Sequence, residues 1–153
     1  MDLHLNNKVA LVTGSSAGIG FAIARKLAQE GCKVILNGRN DSALLEAQKS
    51  IPSSQVIVAD LTIDDECRNL VAKATTLFDR LDILVTNVGS GASVPPGEED
   101  RQEWDKLLEL NLHSATQVIR AAYSHLSEAQ GSILCISSIC GSGSPPCIRA
   151  LTI

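Results

Sequence analysis

Aromatic side chains are scarce in this sequence of 153 residues: Phe, Trp and Tyr make up 3% of it, and Tyr123 is the single tyrosine. The core must therefore be aliphatic, which agrees with a hydrophobic fraction of 44%. Together with a charged fraction of 20%, this composition excludes a disordered or fibrous chain. A chain of this length is expected to form one globular domain with a sizeable core.

Excess positive charge and long apolar runs are lacking as well. The formal net charge is −4 at pH 7 and the isoelectric point is near 5.3, which argues against nucleic acid or a membrane surface as a partner. No apolar stretch approaches the roughly 18–20 residues needed to cross a bilayer. Residues 1–8 lack the basic and apolar regions of a signal peptide. We therefore expect a soluble protein located in the cytoplasm.

Metal-ligand spacing is a further absence. The five cysteines form no C-x-x-C pair, and the three histidines are scattered along the chain. We therefore predict no metal site and interpret the cysteines as buried, reduced thiols. The cysteines are Cys32, Cys67, Cys135, Cys140 and Cys147.

What the sequence does contain is a regular alternation of short apolar runs with segments of helical periodicity. The apolar runs are rich in β-branched residues, which is typical of parallel strands buried on both faces. The order of these segments predicts an α/β fold with a doubly wound parallel sheet of about five strands. We predict strands at residues 8–13, 33–37, 55–59, 81–86 and 132–136, and helices at about 19–30, 41–51, 62–79 and 101–128.

Local signals add detail to three of these helices. Asp41 is the predicted N-cap of the second helix. The third helix is predicted to bury an apolar stripe that ends at Leu77 and Phe78. The stripe predicted for the fourth helix includes Trp104 and Leu112.

A glycine-rich turn joins the first strand to the first helix, with the sequence Thr-Gly-Ser-Ser-Ala-Gly-Ile-Gly at residues 13–20. Gly14 permits a sharp exit from the strand, Gly18 lets the backbone approach a phosphate, and Gly20 lets the helix pack close to the sheet. A pyrophosphate would then rest on N–H groups at the positive end of the helix, aided by the hydroxyl of Ser15 or Ser16. Placed between a strand and a helix, this spacing predicts a dinucleotide site rather than a turn without a ligand.

The same eight residues, Ile19 included, resemble the T-G-x-x-x-G-I-G fingerprint of the short-chain dehydrogenases/reductases. The resemblance extends over about residues 5–141 and implies a Rossmann-type domain that binds a nicotinamide dinucleotide. We therefore assign residues 1–141 to an NADP-binding domain that is incomplete relative to the family. Residues 142–153 are assigned to a loop or irregular tail, because Gly, Ser and Pro dominate its beginning.

Further positions match motifs of this family in the expected order. Asp60 and Leu61, after the third strand, resemble the site where an aspartate of the family binds the adenine ring. Asn87 and Gly89 match the N-N-A-G segment that borders the cofactor, although the segment here reads Thr-Asn-Val-Gly.

Two candidate catalytic residues follow from the same resemblance. Asn111, in the long helix, aligns with the asparagine that holds a catalytic water in the family. Ser138 aligns with the serine that hydrogen-bonds the substrate carbonyl. Each of these residues taken singly has an ordinary structural interpretation, and their order along the chain favours the functional one.

The end of the second strand predicts which dinucleotide is bound. An acidic residue there accepts hydrogen bonds from a ribose 2′-hydroxyl, whereas arginine accommodates a 2′-phosphate. This sequence has Asn37 at the strand end and Arg39 two residues later, where NADP-preferring members of the family carry a basic residue. We predict NADP(H) over NAD(H), against the alternative that Arg39 is an ordinary surface charge.

The tyrosine–lysine pair of the family is missing after Ser138. In the family, a Tyr-x-x-x-Lys motif follows the serine, and its tyrosine donates a proton to the carbonyl while its lysine lowers the pKa of the tyrosine. Residues 139–153 contain neither tyrosine nor lysine. Tyr123 cannot replace the missing tyrosine, because it lies about 18 Å along the helix from Asn111 and no lysine follows it one turn later. We interpret the chain as truncated before this motif or as a natural remnant.

The leading hypothesis is an oxidoreductase that transfers hydride between NADP(H) and a small carbonyl or secondary-alcohol substrate, with little turnover by this chain alone. The resemblance also allows a homo-oligomer. The main alternative is a non-catalytic NADP(H)-binding module. An S-adenosylmethionine methyltransferase is disfavoured, because Asn37 stands where that class has an acidic residue and because the glycine spacing differs.

Overall fold

Within the described residues, the chain builds one sheet of five parallel strands. The computed structural model describes residues 3–91, 94, 95, 98 and 100–137. The strand order is β3-β2-β1-β4-β5, and every neighbouring pair is parallel. Because the chain extends the sheet from β1 to one side and then to the other, the prediction of a doubly wound, Rossmann-type sheet is confirmed. The strands are β1 (Val9–Val12), β2 (Lys33–Gly38), β3 (Gln55–Val58), β4 (Ile83–Thr86) and β5 (Ser132–Cys135).

The described helices follow the strands in alternation. They are α1 (Gly18–Gln29), α2 (Asp41–Ser50), α3 (Asp64–Phe78), α4 (Arg101–Leu108) and α5 (Ser114–Glu128). A π-helical turn, Glu109–His113, joins α4 to α5. In the described part of the chain, no helix has the length and apolar character that crossing a membrane requires.

Two aliphatic cores lie on opposite faces of the sheet. Side chains alternate along β1, so this strand contributes residues to both cores. Val9 and Leu11 pack with buried residues of α3 and α5 on one face. Ala10 and Val12 pack with buried residues of α1 and α2 on the other. Strands buried on both faces explain why the sequence shows continuous apolar runs rather than an alternating pattern.

The N-cap of α2 and the stripes of two helices differ from prediction. Asn40, not Asp41, caps α2, because its extended backbone lets its side-chain oxygen accept the N–H of Ala43 at 3.1 Å. Trp104 and Leu112 are each 40% exposed, so the prediction that they are buried is wrong. For Leu112 the π-helical turn is the reason, since it breaks the regular period on which a single stripe through α4 and α5 depends.

The end of the α3 stripe also differs from prediction. Leu77 is 48% exposed, whereas Phe78 is partly buried against the core. Leu77 lines an open groove beside β3. Since β3 is an edge strand of the described sheet, no further described strand covers this groove.

The cysteines are only partly as predicted. Cys32 and Cys67 are buried free thiols, whereas Cys135 on β5 is exposed, so the prediction is wrong for Cys135. Burial raises the pKa of Cys67 to about 11. Cys140 and Cys147 lie outside the described residues. Among the residues that the structure describes, no group of three His, Cys, Asp or Glu side chains is placed to hold a metal ion.

A buried carboxylate ties β4 to β1 at the amino end of the sheet. Asp82 is 3% exposed and accepts hydrogen bonds from Arg80 Nε at 2.8 Å, Lys8 Nζ at 3.1 Å and the Val9 N–H at 2.9 Å. Desolvation raises the pKa of Asp82, but the bonds from Arg80, Val9 and Lys8 outweigh it and hold that pKa below its usual range. The charged form is therefore part of the folded structure.

Candidate functional site

A cavity of about 440 Å³ lies at the carboxyl end of the parallel strands. In open α/β sheets this end is where ligands bind, next to the point where the strand order reverses. The cavity is lined by Gly14, Ser16, Asn37, Gly38, Arg39, Ala59, Asp60, Leu61, Asn87, Val88, Gly89, Ser90 and Leu110. Seven of the predicted site residues are therefore brought together in the lining of one cavity.

The glycine-rich turn adopts the geometry for which its glycines are needed. Gly14 and Gly18 both have φ of +59°, a backbone conformation that strains L side chains. A Cβ added to Gly20 would lie 2.5 Å from the carbonyl oxygen of Gly14 and 2.5 Å from Asn87 Nδ2. Gly20 thus permits close contact among α1, the turn after β1 and the end of β4.

The N-terminus of α1 is free to receive an anion. Its N-cap is Ala17, which makes no side-chain capping bond, whereas Asn40 and Asp100 cap α2 and α4 with their side chains. Helix α3 also lacks a side-chain cap, but its first turn carries three acidic residues, whereas that of α1 carries none. A Cβ added to Gly18 would meet no atom within 4 Å, so the space beside the first residue of the helix is open. Helix N-termini with free N–H groups and a positive dipole end suit phosphate groups. The residues present therefore fit a dinucleotide pyrophosphate.

The two serines of the turn have different surroundings. Ser15 is fully buried, and its hydroxyl donates to the carbonyl of Val12 at 2.7 Å and accepts the N–H of Asn37 at 3.0 Å. Ser16, in contrast, lines the cavity. Of the two predicted hydroxyls, the structure therefore leaves that of Ser16 for a ligand and uses that of Ser15 to join β1 to β2.

Asn37 is a buried polar residue of the site that is not among the predicted cofactor contacts. It is fully buried, and its Nδ2 donates to the carbonyls of Ile57 at 3.1 Å and Ala59 at 3.4 Å. Its Oδ1 has no hydrogen-bond partner among the described residues. The signal in the sequence was an amide at the end of an otherwise apolar strand.

Arg39 and Asp60 face each other at the rim of the cavity. Arg39 Nη1 lies 3.8 Å from Asp60 Oδ2, and the other carboxylate oxygen accepts the N–H of Thr62 at 3.0 Å and its hydroxyl at 2.8 Å. Desolvation raises the pKa of Asp60, but the Thr62 bonds and the charge of Arg39 outweigh this effect and hold the pKa below its usual value. Leu61, the next residue, is 4% exposed and belongs to both the cavity wall and the core.

Asn87 holds the turn after β1 against the end of β4. Its backbone N–H donates to Thr13 Oγ1 at 2.9 Å, and its Nδ2 donates to the carbonyl of Gly14 at 3.0 Å. These bonds fix the wall of the cavity between β1 and β4.

Asn111 lies in the π-helical turn and contacts the segment after β4. Its Oδ1 accepts the N–H of Ser90 at 2.7 Å, and its Nδ2 donates to the Ser90 carbonyl at 3.2 Å. A Cβ added to Gly89 would lie 2.8 Å from Asn111 Oδ1, so glycine is needed there for this approach. The other candidate catalytic residue, Ser138, lies outside the described residues.

The remaining predicted site residues lie beside the cavity rather than on its lining. Gly18, Ile19 and Gly20 form the first turn of α1, and Ile19 is 65% exposed. Tyr123, on α5, is 66% exposed. The structure thus groups the predicted cofactor residues around one cavity and places the only tyrosine of the sequence on the surface.

Comparison with known proteins agrees with this geometry. The family model described as short chain dehydrogenase matches residues 8–150. An uncharacterised oxidoreductase of Staphylococcus saprophyticus is 37% identical over 145 residues, which cover 91% of this chain and 62% of that protein. An SDR family protein 7-like dehydrogenase/reductase of Dictyostelium discoideum is 34% identical over 146 residues, covering 88% of this chain and 46% of its own length.

Solved structures show the same fold. A short-chain type dehydrogenase/reductase from Mycobacterium ulcerans superposes with a TM-score of 0.86 at 27% identity, covering 92% of this chain and 54% of that one. A short chain dehydrogenase from Mycobacterium smegmatis gives a TM-score of 0.85 at 28% identity, covering 92% of this chain and 61% of that one. The chain therefore spans less than two thirds of the length of each of these four relatives.

Proposed function

Because this chain belongs to the short-chain dehydrogenase family, we propose that it binds NADP(H) in the cavity at the carboxyl end of its sheet. The whole protein would then act as an oxidoreductase on a small carbonyl or secondary-alcohol substrate. A nicotinamide dinucleotide, when bound, supplies or accepts the hydride of such a reaction. The observation that carries this proposal is the uncapped first turn of α1 beside a cavity whose rim holds Arg39.

Each part of the dinucleotide has residues suited to it in this proposal. The first turn of α1 and the hydroxyl of Ser16 hold the pyrophosphate. Asp60 and Leu61 receive the adenine ring, and Asn87 with Gly89 borders the nicotinamide side. These assignments combine the family resemblance with the placement of the residues around the cavity.

The preference for NADP(H) over NAD(H) rests on Arg39. Its side chain is 68% exposed and lines the cavity just after β2. Residues 37–40, at the end of that strand, include no acidic residue. A guanidinium can donate two parallel hydrogen bonds to a phosphate. Such charge-assisted bonds are worth about 1.5–3 kcal/mol, or roughly ten- to hundredfold in affinity.

Titration of the Arg39→Asp variant with NADPH and NADH tests the proposal. We expect the affinity for NADPH to fall at least tenfold, by the same reasoning, and the affinity for NADH to be unchanged or higher. Arg101→Asp is the matched control, because it changes the charge equally at a residue that does not line the cavity. An unchanged ratio of the two affinities in Arg39→Asp would overturn the assignment of NADP(H).

The catalytic roles are part of the same proposal. Asn111 orders a water and Ser138 orients the substrate carbonyl, as the family resemblance suggests. Residues 139–153 contain no tyrosine or lysine, so a polypeptide of these 153 residues would bind NADP(H) with little or no turnover. NADPH-dependent reduction of carbonyl compounds by this polypeptide would contradict that expectation.

The alternative function is a non-catalytic NADP(H)-binding module. The exposed position of Tyr123 favours it for this polypeptide, because the single tyrosine of the sequence lies on the surface of α5 and does not line the cavity. Tight binding of NADPH without turnover would support it. The homo-oligomer and the cytoplasmic location stay predictions.

A further inference from the structure

Backbone pairing brings Arg39 and Asp60 together at the rim of the cavity. The parallel register pairs Gly38 of β2 with Val58 of β3, and the N–H of Ala59 donates to the Gly38 carbonyl at 3.1 Å. Arg39 follows Gly38 and Asp60 follows Ala59, so this pairing brings Arg39 near Asp60. Arg39 Nη1 lies 3.8 Å from Asp60 Oδ2 as a result.

The two partners differ in how firmly they are held. Both bonds that Asp60 accepts from Thr62 go to Oδ1, which leaves Oδ2 facing Arg39. The Asp60 side chain is 31% exposed, whereas that of Arg39 is 68% exposed. Arg39 is thus the more exposed member of the pair, whereas two hydrogen bonds from Thr62 hold the carboxylate.

We propose that Asp60 limits the preference for NADP(H) over NAD(H) by serving as the partner of Arg39 whenever no 2′-phosphate is present. This inference rests on the proposed function. A carboxylate and a phosphate both accept paired hydrogen bonds from a guanidinium, so a ligand with a 2′-phosphate must take Arg39 from Asp60. A ligand with a 2′-hydroxyl leaves the ion pair intact, so Arg39 keeps Asp60 as its partner.

The negative charge of Asp60 lowers the affinity for NADP(H) further once Arg39 has exchanged Asp60 for the 2′-phosphate. Once Arg39 contacts a phosphate, the carboxylate of Asp60 keeps its negative charge and stays beside the new partner. Like charges at such separations repel, and the repulsion is weakened where solvent reaches them. Asp60 therefore lowers the affinity for the phosphorylated cofactor in two ways, of which only the first requires Arg39.

The Asp60→Asn variant isolates this effect when binding is expressed as the ratio of the NADH and NADPH dissociation constants. Any contact of residue 60 with adenine is common to both cofactors and cancels in the ratio. Asparagine keeps an oxygen that can accept the bonds from Thr62. We expect the ratio to shift towards NADPH by about two- to fivefold, the range that a partly exposed ion pair contributes.

The Arg39→Ala variant and the double variant complete a cycle that tests the role of the pairing. We expect the shift caused by Asp60→Asn to be at least twofold smaller when Arg39 is absent. An unchanged ratio in Asp60→Asn, or an equal shift in both backgrounds, would overturn the inference. If Arg39→Ala leaves the ratio of the native sequence unchanged, the preference for NADP(H) itself is wrong, which is a separate result.

A second readout uses adenosine 2′,5′-bisphosphate and 5′-AMP, which differ only in the 2′-phosphate and need no catalytic residues. Calorimetric titration of the same four proteins should repeat the pattern found with the dinucleotides. A shift seen with the dinucleotides but not with these nucleotides would place the effect away from the 2′-phosphate and overturn the inference. Absence of binding by all four ligands would instead overturn the proposed function.

Discussion

Two arginine–aspartate pairs lie at opposite ends of the same sheet, and they are built differently. At the amino end, the carboxylate of Asp82 is 3% exposed and accepts bonds from Arg80, Lys8 and a backbone N–H. At the carboxyl end, Arg39 and Asp60 are 3.8 Å apart and both reach solvent. The first pair surrounds a buried carboxylate with donors from the fold, and the second leaves a guanidinium available to another anion.

This difference shows how one combination of residue types serves stability at one end and recognition at the other. A buried carboxylate that loses its donors destabilises the fold strongly, whereas an exposed ion pair contributes little. The exposed pair can therefore be exchanged for a ligand at small cost. Burial and the number of donors, rather than residue identity, distinguish the two pairs.

The largest effect is expected from breaking the amino-end pair. Asp82→Asn removes the charge that Arg80, Lys8 and Val9 share, and we expect the free energy of unfolding to fall by about 2–4 kcal/mol. Urea unfolding followed by circular dichroism measures this change. The cofactor affinity of the folded fraction should stay within about twofold, because Asp82 lies at the other end of the sheet from the cavity.

Asp105→Asn is the matched control for that experiment. Asp105 pairs with Arg101 at 3.8 Å on the surface of α4, and the two side chains are 68% and 93% exposed. We expect a change below about 0.5 kcal/mol. Equal losses in the two variants would show that burial does not distinguish the pairs.

A smaller effect is expected from crowding the carboxyl end. In Gly20→Ala, the new methyl group would lie 2.5 Å from the Gly14 carbonyl oxygen, which is backbone and cannot swing away. We expect a loss of about 1–3 kcal/mol in unfolding free energy and weaker binding of NADPH and NADH by a common factor. Thermal unfolding and fluorescence titration would measure both.

Gly38→Ala provides the control for crowding at this end of the sheet. Its Cβ would lie 3.5 Å from Ser16 Oγ, which is an ordinary contact distance. Its unfolding free energy should change by less than about 1 kcal/mol. If Gly38→Ala and Gly20→Ala lose equal stability, close approach at Gly20 is not the cause.

The smallest effect is the acid sensitivity of the two carboxylates. Asp82 and Asp60 both have pKa values lowered in the folded chain. Their contributions are therefore complete above the unfolded pKa of about 3.9 and are lost as the pH falls through the folded value. Urea unfolding between pH 7 and pH 3 should show a fall that is smaller in Asp82→Asn than in the native sequence by up to about 1 kcal/mol, the most that linkage allows less than one unit below the unfolded pKa.

Asp60→Asn should change this pH dependence less than Asp82→Asn does, because the Asp60 side chain is more exposed. Identical pH curves for the native sequence and Asp82→Asn would contradict the assigned role of the buried carboxylate. A larger change in Asp60→Asn would reverse the comparison between the two ends of the sheet.

The strands and the glycine-rich turn could be predicted from sequence because their signals are local. A buried parallel strand needs a short apolar run, and the turn after β1 needs glycine where φ is +59° at Gly14 and Gly18. The family resemblance then supplied the order of Asp60 and Asn87. Both lie on the cavity that the strand ends form.

Features that depend on neighbours distant in sequence could not be predicted. The stripe through Trp104 and Leu112 assumed one regular helix, but the π-helical turn changes the phase where Asn111 contacts Ser90. The sequence could not show which serine of the turn faces the cavity, because Ser15 is turned inward by its bonds to Val12 and to β2. Such choices are made by tertiary hydrogen bonds rather than by local propensity.

The missing side-chain cap of α1 makes the ligand a component of the hydrogen bonding of the fold. Ala17 offers no acceptor to the first amides of the helix, so an anion bound there would complete the helix as a capping side chain completes α2. Binding would then stabilise the native state by mass action, by about 2.7 kcal/mol at a hundredfold excess over the dissociation constant. The stability of this chain is therefore expected to depend on the concentration of its cofactor.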